Sequence, residues 1–271
     1  MVISIKVYRI CKIVNLSFIY TLKLAVILFA CLISSHVFSD QHESSLITKG
    51  TIEFAEGGKY EGELLNGQMH GKGILSFSEG GSYTGDFLEG QIEGSGLLIY
   101  RDGSRYEGEF TKGKREGKGK LTFSDGTIYE GTFQNGERNG KGILSYSDGT
   151  KYVGIFKDGE FQGKGKIIFP DGGAYVGDFN LGKITGMGKF NYSDGSIYEG
   201  AFSNDQRQGQ GKLIYPDGSE YVGSFNNGLR EGKGVFIFSD KTKLEADFVK
   251  GEPKGKVIVT YPDGTVVEDN Y

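Results

Sequence analysis

Residues 106–128 decide the fold, and they read YEGEFTKGKREGKGKLTFSDGTI. The first five residues alternate apolar and polar side chains, which is typical of a β-strand with one buried face. Tyr106, Gly108 and Phe110 then lie on one side of that strand, and the two glutamates between them lie on the other. Residues 119–123 alternate in the same way, so the stretch predicts the two strands of an antiparallel hairpin.

The link to the next copy of this stretch carries a turn sequence. Asp125 and Gly126 tolerate the positive φ of a tight hairpin. Phe123 and Tyr129 are six residues apart. A three-residue loop with a bulge at Gly126 would therefore keep these two rings opposite each other on one face.

Within the unit we expect an antiparallel pair in which Phe110 lies across from Leu121 and Gly108 lies across from Phe123. A glycine in the middle of a strand weakens that strand. Here its bare backbone would leave a shallow slot for an aromatic ring from the neighbouring strand. The same structural role is predicted for the glycines at this position in the following copies: Gly131, Gly154, Gly177 and Gly200.

The stretch repeats along the chain without insertion or deletion. Tyrosine recurs at steps of 23 residues: Tyr60, Tyr83, Tyr106, Tyr129, Tyr152, Tyr175, Tyr198 and Tyr221. Glycine follows two positions after each tyrosine, and phenylalanine follows four positions after all but the first, where Leu64 stands. A fixed period of this length indicates a solenoid in which each unit packs on its neighbours.

The columns Y-x-G-x-F, G-x-G and D-G resemble the signature of the MORN repeat family. The resemblance covers residues 60–243 as eight complete units, with a flank and half-repeat at 40–59 and a degenerate ninth repeat, a C-terminal cap, at 244–271. It implies an all-β fold, an elongated single-sheet solenoid of tandem 23-residue antiparallel β-hairpins. It also implies a scaffold that organises membrane-associated assemblies, with homodimerisation through an end unit as one mode.

Residues 1–39 have the layout of a secretory signal peptide. A 15-residue apolar run at 24–38 follows four cations and no acid, and small residues stand around Ser39. We therefore predict cleavage after Ser39 and a secreted or periplasmic protein. Two alternatives stay open: an uncleaved membrane anchor formed by residues 13–38, and a lipoprotein modified at Cys31.

Composition beyond residue 39 excludes several classes of function. The chain has 31 Lys and Arg and 35 Asp and Glu; four of the cations lie in the first 39 residues, which leaves 27 against 35, a net charge of −8. A body this acidic argues against nucleic-acid binding. Cys11 and Cys31 both precede residue 39, so the body has no thiol for a disulfide, a nucleophile or a metal. We expect no metal and no cofactor.

Carboxylates are abundant but periodic. Glu107, Glu109, Glu130 and Glu199 recur at fixed positions of the repeat on its polar face. Catalysis needs one pocket that shifts a pKa, and a periodic array gives copies instead. We therefore expect no enzyme, with an enzyme acting on envelope glycan or lipid as the remote alternative.

Two periodic rows are candidates for contact with a partner. The aromatic rings either fill one face against each other or leave a partly open concave face that docks an apolar helix or extended peptide. The rings of this row are Tyr83, Tyr106, Phe110, Tyr129, Phe133, Tyr152, Phe156, Tyr175, Tyr198 and Tyr221. A row of lysines either pairs with acids across strands or contacts lipid head groups. These lysines are Lys72, Lys118, Lys141, Lys164 and Lys233.

The favoured function is an exported, non-catalytic scaffold that mediates protein–protein interaction, self-association included, at or near a membrane. The alternative is a phospholipid-binding platform that uses the row of lysines. Protein partners, a second copy of the chain and membrane lipid are thus the expected partner classes, and nucleic acid is not.

Overall fold

The computed structural model describes residues 46–271. The predicted signal peptide, its cleavage after Ser39 and the alternative anchor therefore lie outside the described residues. The chain divides into two compact units, with the boundary between Glu137 and Arg138. Residues 46–271 contain strands and no helix, hence no helix long and apolar enough to span a membrane.

In the first unit each strand pairs antiparallel with the strand before it. The strands are β1 (Ile47–Glu53), β2 (Gly58–Leu65), β3 (Gln68–Phe77), β4 (Ser82–Leu88), β5 (Gln91–Ile99), β6 (Arg105–Thr111), β7 (Lys114–Thr122) and β8 (Ile128–Gln134).

The second unit continues the same order from β9 onward. Its strands are β9 (Glu137–Ser145), β10 (Lys151–Lys157), β11 (Glu160–Ile168), β12 (Ala174–Asn180), β13 (Lys183–Asn191), β14 (Ile197–Ser203), β15 (Gln206–Ile214), β16 (Glu220–Asn226), β17 (Leu229–Ile237), β18 (Lys243–Val249), β19 (Glu252–Thr260) and β20 (Val266–Asn270). Tandem antiparallel hairpins thus make up each unit, which confirms the predicted all-β class.

The loop between repeats has the predicted length. The Phe123 amide donates to the Thr127 carbonyl at 2.8 Å, and the Gly126 amide donates back to the Phe123 carbonyl at 3.0 Å. This closes a three-residue loop, and Gly126 takes its predicted left-handed conformation at φ 87°. The Asp125 carboxylate accepts a hydrogen bond from the Thr127 amide at 2.8 Å. The aspartate of the D-G pair is therefore explained by the turn itself.

The turn inside each repeat is tighter than the sequence suggests. Lys112 and Gly113 both have positive φ, 49° and 75°, and Thr111 pairs directly with Lys114. This is a two-residue turn whose twist matches the flanking strands. The second strand of the hairpin therefore begins at Lys114, immediately after the turn.

The predicted register within the hairpin is wrong. Tyr106 lies across from Leu121, Gly108 from Gly119, and Phe110 from Arg115. Two causes explain the difference. The two-residue turn starts β7 early, and β7 then carries two extra residues between the partners of Gly108 and Glu109, a β-bulge. Across the next loop Tyr129 likewise faces Leu121 rather than Phe123.

The paired glycines form the predicted slot. A Cβ added to Gly119 would lie 2.4 Å from Cε2 of Tyr106, and one added to Gly108 would lie 2.5 Å from the Tyr106 hydroxyl. The ring over Gly119 comes from the neighbouring strand, as expected, whereas the ring over Gly108 comes from its own strand. Equivalent contacts occur at Gly154, Gly177 and Gly200. Only glycine leaves room for a ring lying on the backbone.

Candidate functional site: the open face of the sheet

The ten aromatic residues predicted to form a binding face are buried. Each of the repeat tyrosines has 0% exposed surface, and Phe110 and Phe156 have 2% and 1%. The prediction of a partly open aromatic face is therefore wrong for this row, and its other reading, in which the rings fill the face against each other, fits the structure. The buried members are Tyr83, Tyr106, Phe110, Tyr129, Phe133, Tyr152, Phe156, Tyr175, Tyr198 and Tyr221.

Ring packing and hydrogen bonding of the hydroxyl hold the repeat tyrosines in place. The ring of Tyr106 meets Phe110 and Phe133 edge to face, with centroids 5.0 and 4.9 Å apart, the arrangement that aromatic pairs prefer. The hydroxyl donates to the carbonyl of Glu109 at 3.0 Å. That carbonyl lies at the bulge, where the strand ladder is interrupted. The tyrosine hydroxyl thus supplies a hydrogen bond at the point where the bulge interrupts the strand ladder.

A column of side chains that we did not identify from the sequence closes the aromatic face. The guanidinium carbon of Arg115 lies 5.7 Å from the ring centroid of Tyr106 and 5.3 Å from that of Phe133. Arg115 also donates to the carbonyl of Gly136 in the next turn. The signal was available two residues before each Gly-x-Gly pair, where every unit has a large side chain. These residues are Met69, Ile92, Arg115, Arg138, Phe161, Ile184, Arg207 and Arg230.

Burial changes the acid–base chemistry of the tyrosines. Loss of hydration raises the pKa of Tyr83, Tyr198 and Tyr221 to about 12. The same cause raises the pKa of Tyr106 and Tyr152. A tyrosine hydroxyl must keep its proton to donate a hydrogen bond to a carbonyl oxygen. Because their pKa values are raised, these hydroxyls stay protonated near neutral pH and act as structural hydrogen-bond donors.

The opposite side of the strands, here called the open face, carries the exposed side chains. It consists of the residues that alternate with the tyrosines and glycines along each strand, such as Glu107 on β6 and Lys118 and Lys120 on β7. Charges pair across strands on this face: Lys120 lies 2.7 Å from Glu130. Lys189 likewise pairs with Glu199, and this contact lowers the pKa of the Glu199 carboxyl.

The predicted row of lysines lies on the open face but is not uniform. Lys72 pairs with Asp86, and the hydrogen bond from its ammonium lowers the pKa of that carboxyl. Lys164 lies 2.8 Å from Asp178. The remaining members face different residues in the sheet register: Lys118 faces Thr132, Lys141 faces Ile155, and Lys233 faces Asp247. The members of the row therefore differ in the residue that lies across from them in the sheet.

In the first unit the open face forms a groove of about 800 Å³ across β1 to β6. Its floor is glycine backbone from the paired columns, including Gly73, Gly85 and Gly96. Its walls mix charge with apolar surface: Lys49, Glu61, Glu63, Lys72, Ile74, Thr84, Ser95, Leu97 and Glu107. A shallow, mixed groove of this size suits part of a polypeptide better than a small molecule enclosed on all sides.

In the second unit the open face is more apolar. Val176 and Met187 are 51% and 60% exposed, and Val153 and Val222 are also exposed. Single exposed apolar residues are ordinary, and it is their grouping on one face that favours a contact surface.

The open face offers little that could do chemistry. Among residues 46–271 there is no group of three or more His, Cys, Asp or Glu side chains placed to hold a metal ion. Among residues 46–271, the carboxyl whose pKa is raised is that of Glu160, because partial burial outweighs the opposing effect of Arg138. It lies at the start of β11, next to a turn and away from the groove lining.

A model of the MORN repeat matches eight consecutive segments, residues 60–82, 83–105, 106–128, 129–151, 152–174, 175–197, 198–220 and 221–243. The chain is a MORN-repeat protein. The matched segments coincide with the eight units counted by the tyrosine period. MORN repeats belong to repeat scaffolds for protein or membrane interaction. No curated protein matches this MORN-repeat chain.

Solved structures resemble this MORN-repeat protein only distantly. One is the TCP domain of SAS-4 (dCPAP) of Drosophila melanogaster in complex with a proline-rich motif of Ana2; it is 14% identical, with a TM-score of 0.27, 82% of this chain and 90% of that chain covered. Another is a point mutant of the TCP10 domain of Danio rerio CPAP, with the same identity and TM-score, covering 82% of this chain and 99% of that chain. At such TM-scores the likeness has no bearing on function.

Proposed function

We propose that this MORN-repeat protein is exported, stays at or near a membrane, and works as a non-catalytic scaffold that binds protein partners on its open face. The supporting observation is the contrast between the two faces. The aromatic face is filled by its own rings, at 0% exposure for the tyrosines, whereas valine and methionine side chains on the open face are up to 60% exposed. Burial of apolar surface can stabilise a complex only where that surface is still in contact with water before binding.

A non-catalytic role is proposed because the charged groups on the open face repeat with the units. Lys120 with Glu130 and Lys189 with Glu199 are copies of one cross-strand pair. Pairing lowers the pKa of Glu199, which makes this carboxyl a weaker base and keeps it ionised. A catalytic acid or base needs a shift in the opposite direction or a unique setting.

Self-association is part of the proposal because the terminal strands offer free edges. Among the described residues, β1 and β20 each pair with a single neighbouring strand. All residues of β20 are exposed. An unpaired strand edge is a template for another strand, including one from a second copy. The Asp269 carboxylate accepts a hydrogen bond from the Asn270 amide at 2.7 Å, so one donor of β20 is already satisfied within the strand.

The open face can be tested by site-specific photo-crosslinking in the cells that make the protein. A benzophenone side chain would replace Thr84 or Met187 on the open face, or Asp125 or Asp194 in the loops between repeats. We expect defined adducts from the two open-face positions and none from the two loop positions. An adduct with the mass of two chains would identify self-association. Adducts from the loop positions alone would contradict the proposed binding face.

Phospholipid binding through the lysine row is the second candidate, since Lys72 and Lys164 keep 71% and 75% of their side-chain surface exposed. Pairing with Asp86 and Asp178 cancels much of their charge at a distance. We therefore expect the full-length protein to show no salt-sensitive difference between anionic and neutral vesicles in co-sedimentation. Salt-sensitive binding to anionic vesicles that is lost when Lys118, Lys141 and Lys164 are replaced by Glu would instead establish the lipid platform.

A further inference from the structure

One lysine on the open face, unlike the other lysines at the same position of the repeat, has no acidic side chain paired with it. Its column holds either an aliphatic residue or a lysine: Ile74, Leu97, Lys120, Ile143, Lys166, Lys189, Lys212 and Val235. Three of the four lysines have an acidic partner within 2.8 Å, namely Glu130, Glu199 and Glu220. The fourth, Lys166, has no hydrogen-bonding or ionic partner for its ammonium group among the residues that the structure describes.

The register explains why Lys166 is left without an acid. It lies across from Val153 on β10 and from Val176 on β12. The other three lysines of the column have glutamate at one or both of these positions, as Glu107 and Glu130 flank Lys120. The nearby Asp178 already binds Lys164 at 2.8 Å and accepts from the Met187 amide at 3.3 Å. Lys166 therefore lies between two aliphatic residues in the sheet register.

These aliphatic neighbours are themselves accessible. Val153 and Val176 are 38% and 51% exposed, and Met187 lies further along the same face at 60%. Burying them under a partner would be favourable, because it removes apolar surface from water. The same contact would strip water from the ammonium of Lys166, which is costly unless the partner supplies an opposite charge. The surface thus disfavours an apolar segment without an acid, and it favours one whose carboxylate lies against the ammonium of Lys166.

We propose that the surface formed by Val153, Lys166 and Val176 binds a protein segment in which one Asp or Glu is flanked by apolar side chains. This deepens the proposed function and rests on it, because it names the chemistry of a partner for the open face. The strand spacing sets the geometry. Val153 and Val176 lie on the two strands that flank β11, and neighbouring strands are about 4.8 Å apart. The carboxylate of the partner would therefore lie over Lys166, with an apolar group roughly 5 Å to each side of it.

The test is selection of random twelve-residue peptides displayed on phage against the full-length protein, followed by anisotropy titration of the enriched peptides. We expect enriched peptides to carry one acidic residue between apolar ones. Replacing that acid with its amide should weaken binding to the wild-type protein about tenfold, and raising the salt concentration should weaken binding further. Against the Lys166→Met variant, which keeps the apolar stem and loses the charge, the acid and amide peptides should bind equally.

Lys120 provides the matched control, because it occupies the same column, is paired with Glu130 and lies across from Glu107 and Glu130 rather than from either valine. Lys166→Glu should reduce affinity for the enriched peptides at least tenfold, and Lys120→Glu should change it less than twofold. Both lysines are exposed, so neither change should disturb folding, which circular dichroism would verify.

The outcomes separate this inference from the proposed function. Enriched peptides without an acid, or equal sensitivity to Lys166→Glu and Lys120→Glu, would overturn the inference and leave open-face binding intact. If no peptide is enriched on the intact protein, the proposed function fails and the inference fails with it.

Discussion

Replacing Gly188 with alanine will lower the free energy of unfolding by about 3 kcal/mol, because a buried ring has nowhere to move. The added Cβ would lie 2.5 Å from Cε2 and the hydroxyl of Tyr175. Real Cβ atoms do not approach other atoms this closely, and the Tyr175 ring is fully buried against Phe179 and Phe202. Urea unfolding followed by circular dichroism measures the loss as a lower midpoint.

Gly218 is the matched control for this substitution. It lies in a loop between repeats at φ 80°, and a Cβ there would meet nothing within 4 Å. Gly218→Ala therefore tests backbone strain without a steric clash, and we expect a loss of about 1 kcal/mol. Equal losses at Gly188 and Gly218 would contradict the role of the glycine slot.

A second variant tests the ring directly. Tyr175→Leu alone should destabilise the chain, because it removes the hydrogen bond to the Asp178 carbonyl and the ring contacts. Combined with Gly188→Ala, the shorter side chain leaves room for the new methyl group. The double variant should therefore be more stable than the sum of the two single losses predicts.

Periodicity was sufficient to predict the strands and the loops between repeats. The 23-residue spacing of tyrosine and the D-G pairs places every complete unit, and the three-residue loop at 124–126 is confirmed. Local signals of this kind depend on residues close in sequence, where side-chain alternation and turn geometry leave few choices.

Register could not be obtained in the same way. It depends on the two-residue turn at Lys112 and Gly113 and on the bulge that adds two residues to β7. Neither changes the side-chain alternation, since an insertion of two residues keeps every side chain on its own face. The pattern therefore fits several registers equally well, and the ring of Tyr106 lying over Gly108 and Gly119 selects the observed one.

The alternation of apolar and polar residues also could not predict which face of the sheet is closed to solvent. Period-two alternation separates a ring face from a polar face, but burial of the rings depends on the column that begins each second strand. Arg115 closes the face through contacts with two rings from different repeats and with the next turn. An arginine reads as a surface residue in the sequence, although its planar group packs well on aromatic rings. The unpaired Lys166 was hidden for the related reason that its neighbours are known only once the register is known.

Raising the pH above 10 should unfold the protein cooperatively. Loss of hydration raises the pKa of Tyr83, Tyr198 and Tyr221 to about 12 and raises that of Tyr60, Tyr106, Tyr152 and Tyr175 as well. Tyrosine in an unfolded chain loses its proton near pH 10. Below that pH both states are protonated, and the stability that the buried hydroxyls provide is fully present. Between about pH 10 and pH 12 the unfolded chain releases protons that the folded chain retains, so stability falls with rising pH.

Several equivalent tyrosines act together in this transition, so its pH dependence should be steep. Absorbance of tyrosinate at 295 nm and far-ultraviolet circular dichroism should change at the same pH, because the repeat tyrosines ionise only as the sheet opens. Tyr198→Phe removes one titrating group and should make the transition shallower, at the cost of the hydrogen bond to Ala201. Gradual ionisation of all tyrosines near pH 10 with an unchanged dichroism spectrum would show that the rings are accessible in the folded chain. That result would reopen the aromatic face as a binding surface, which full burial of the rings otherwise excludes.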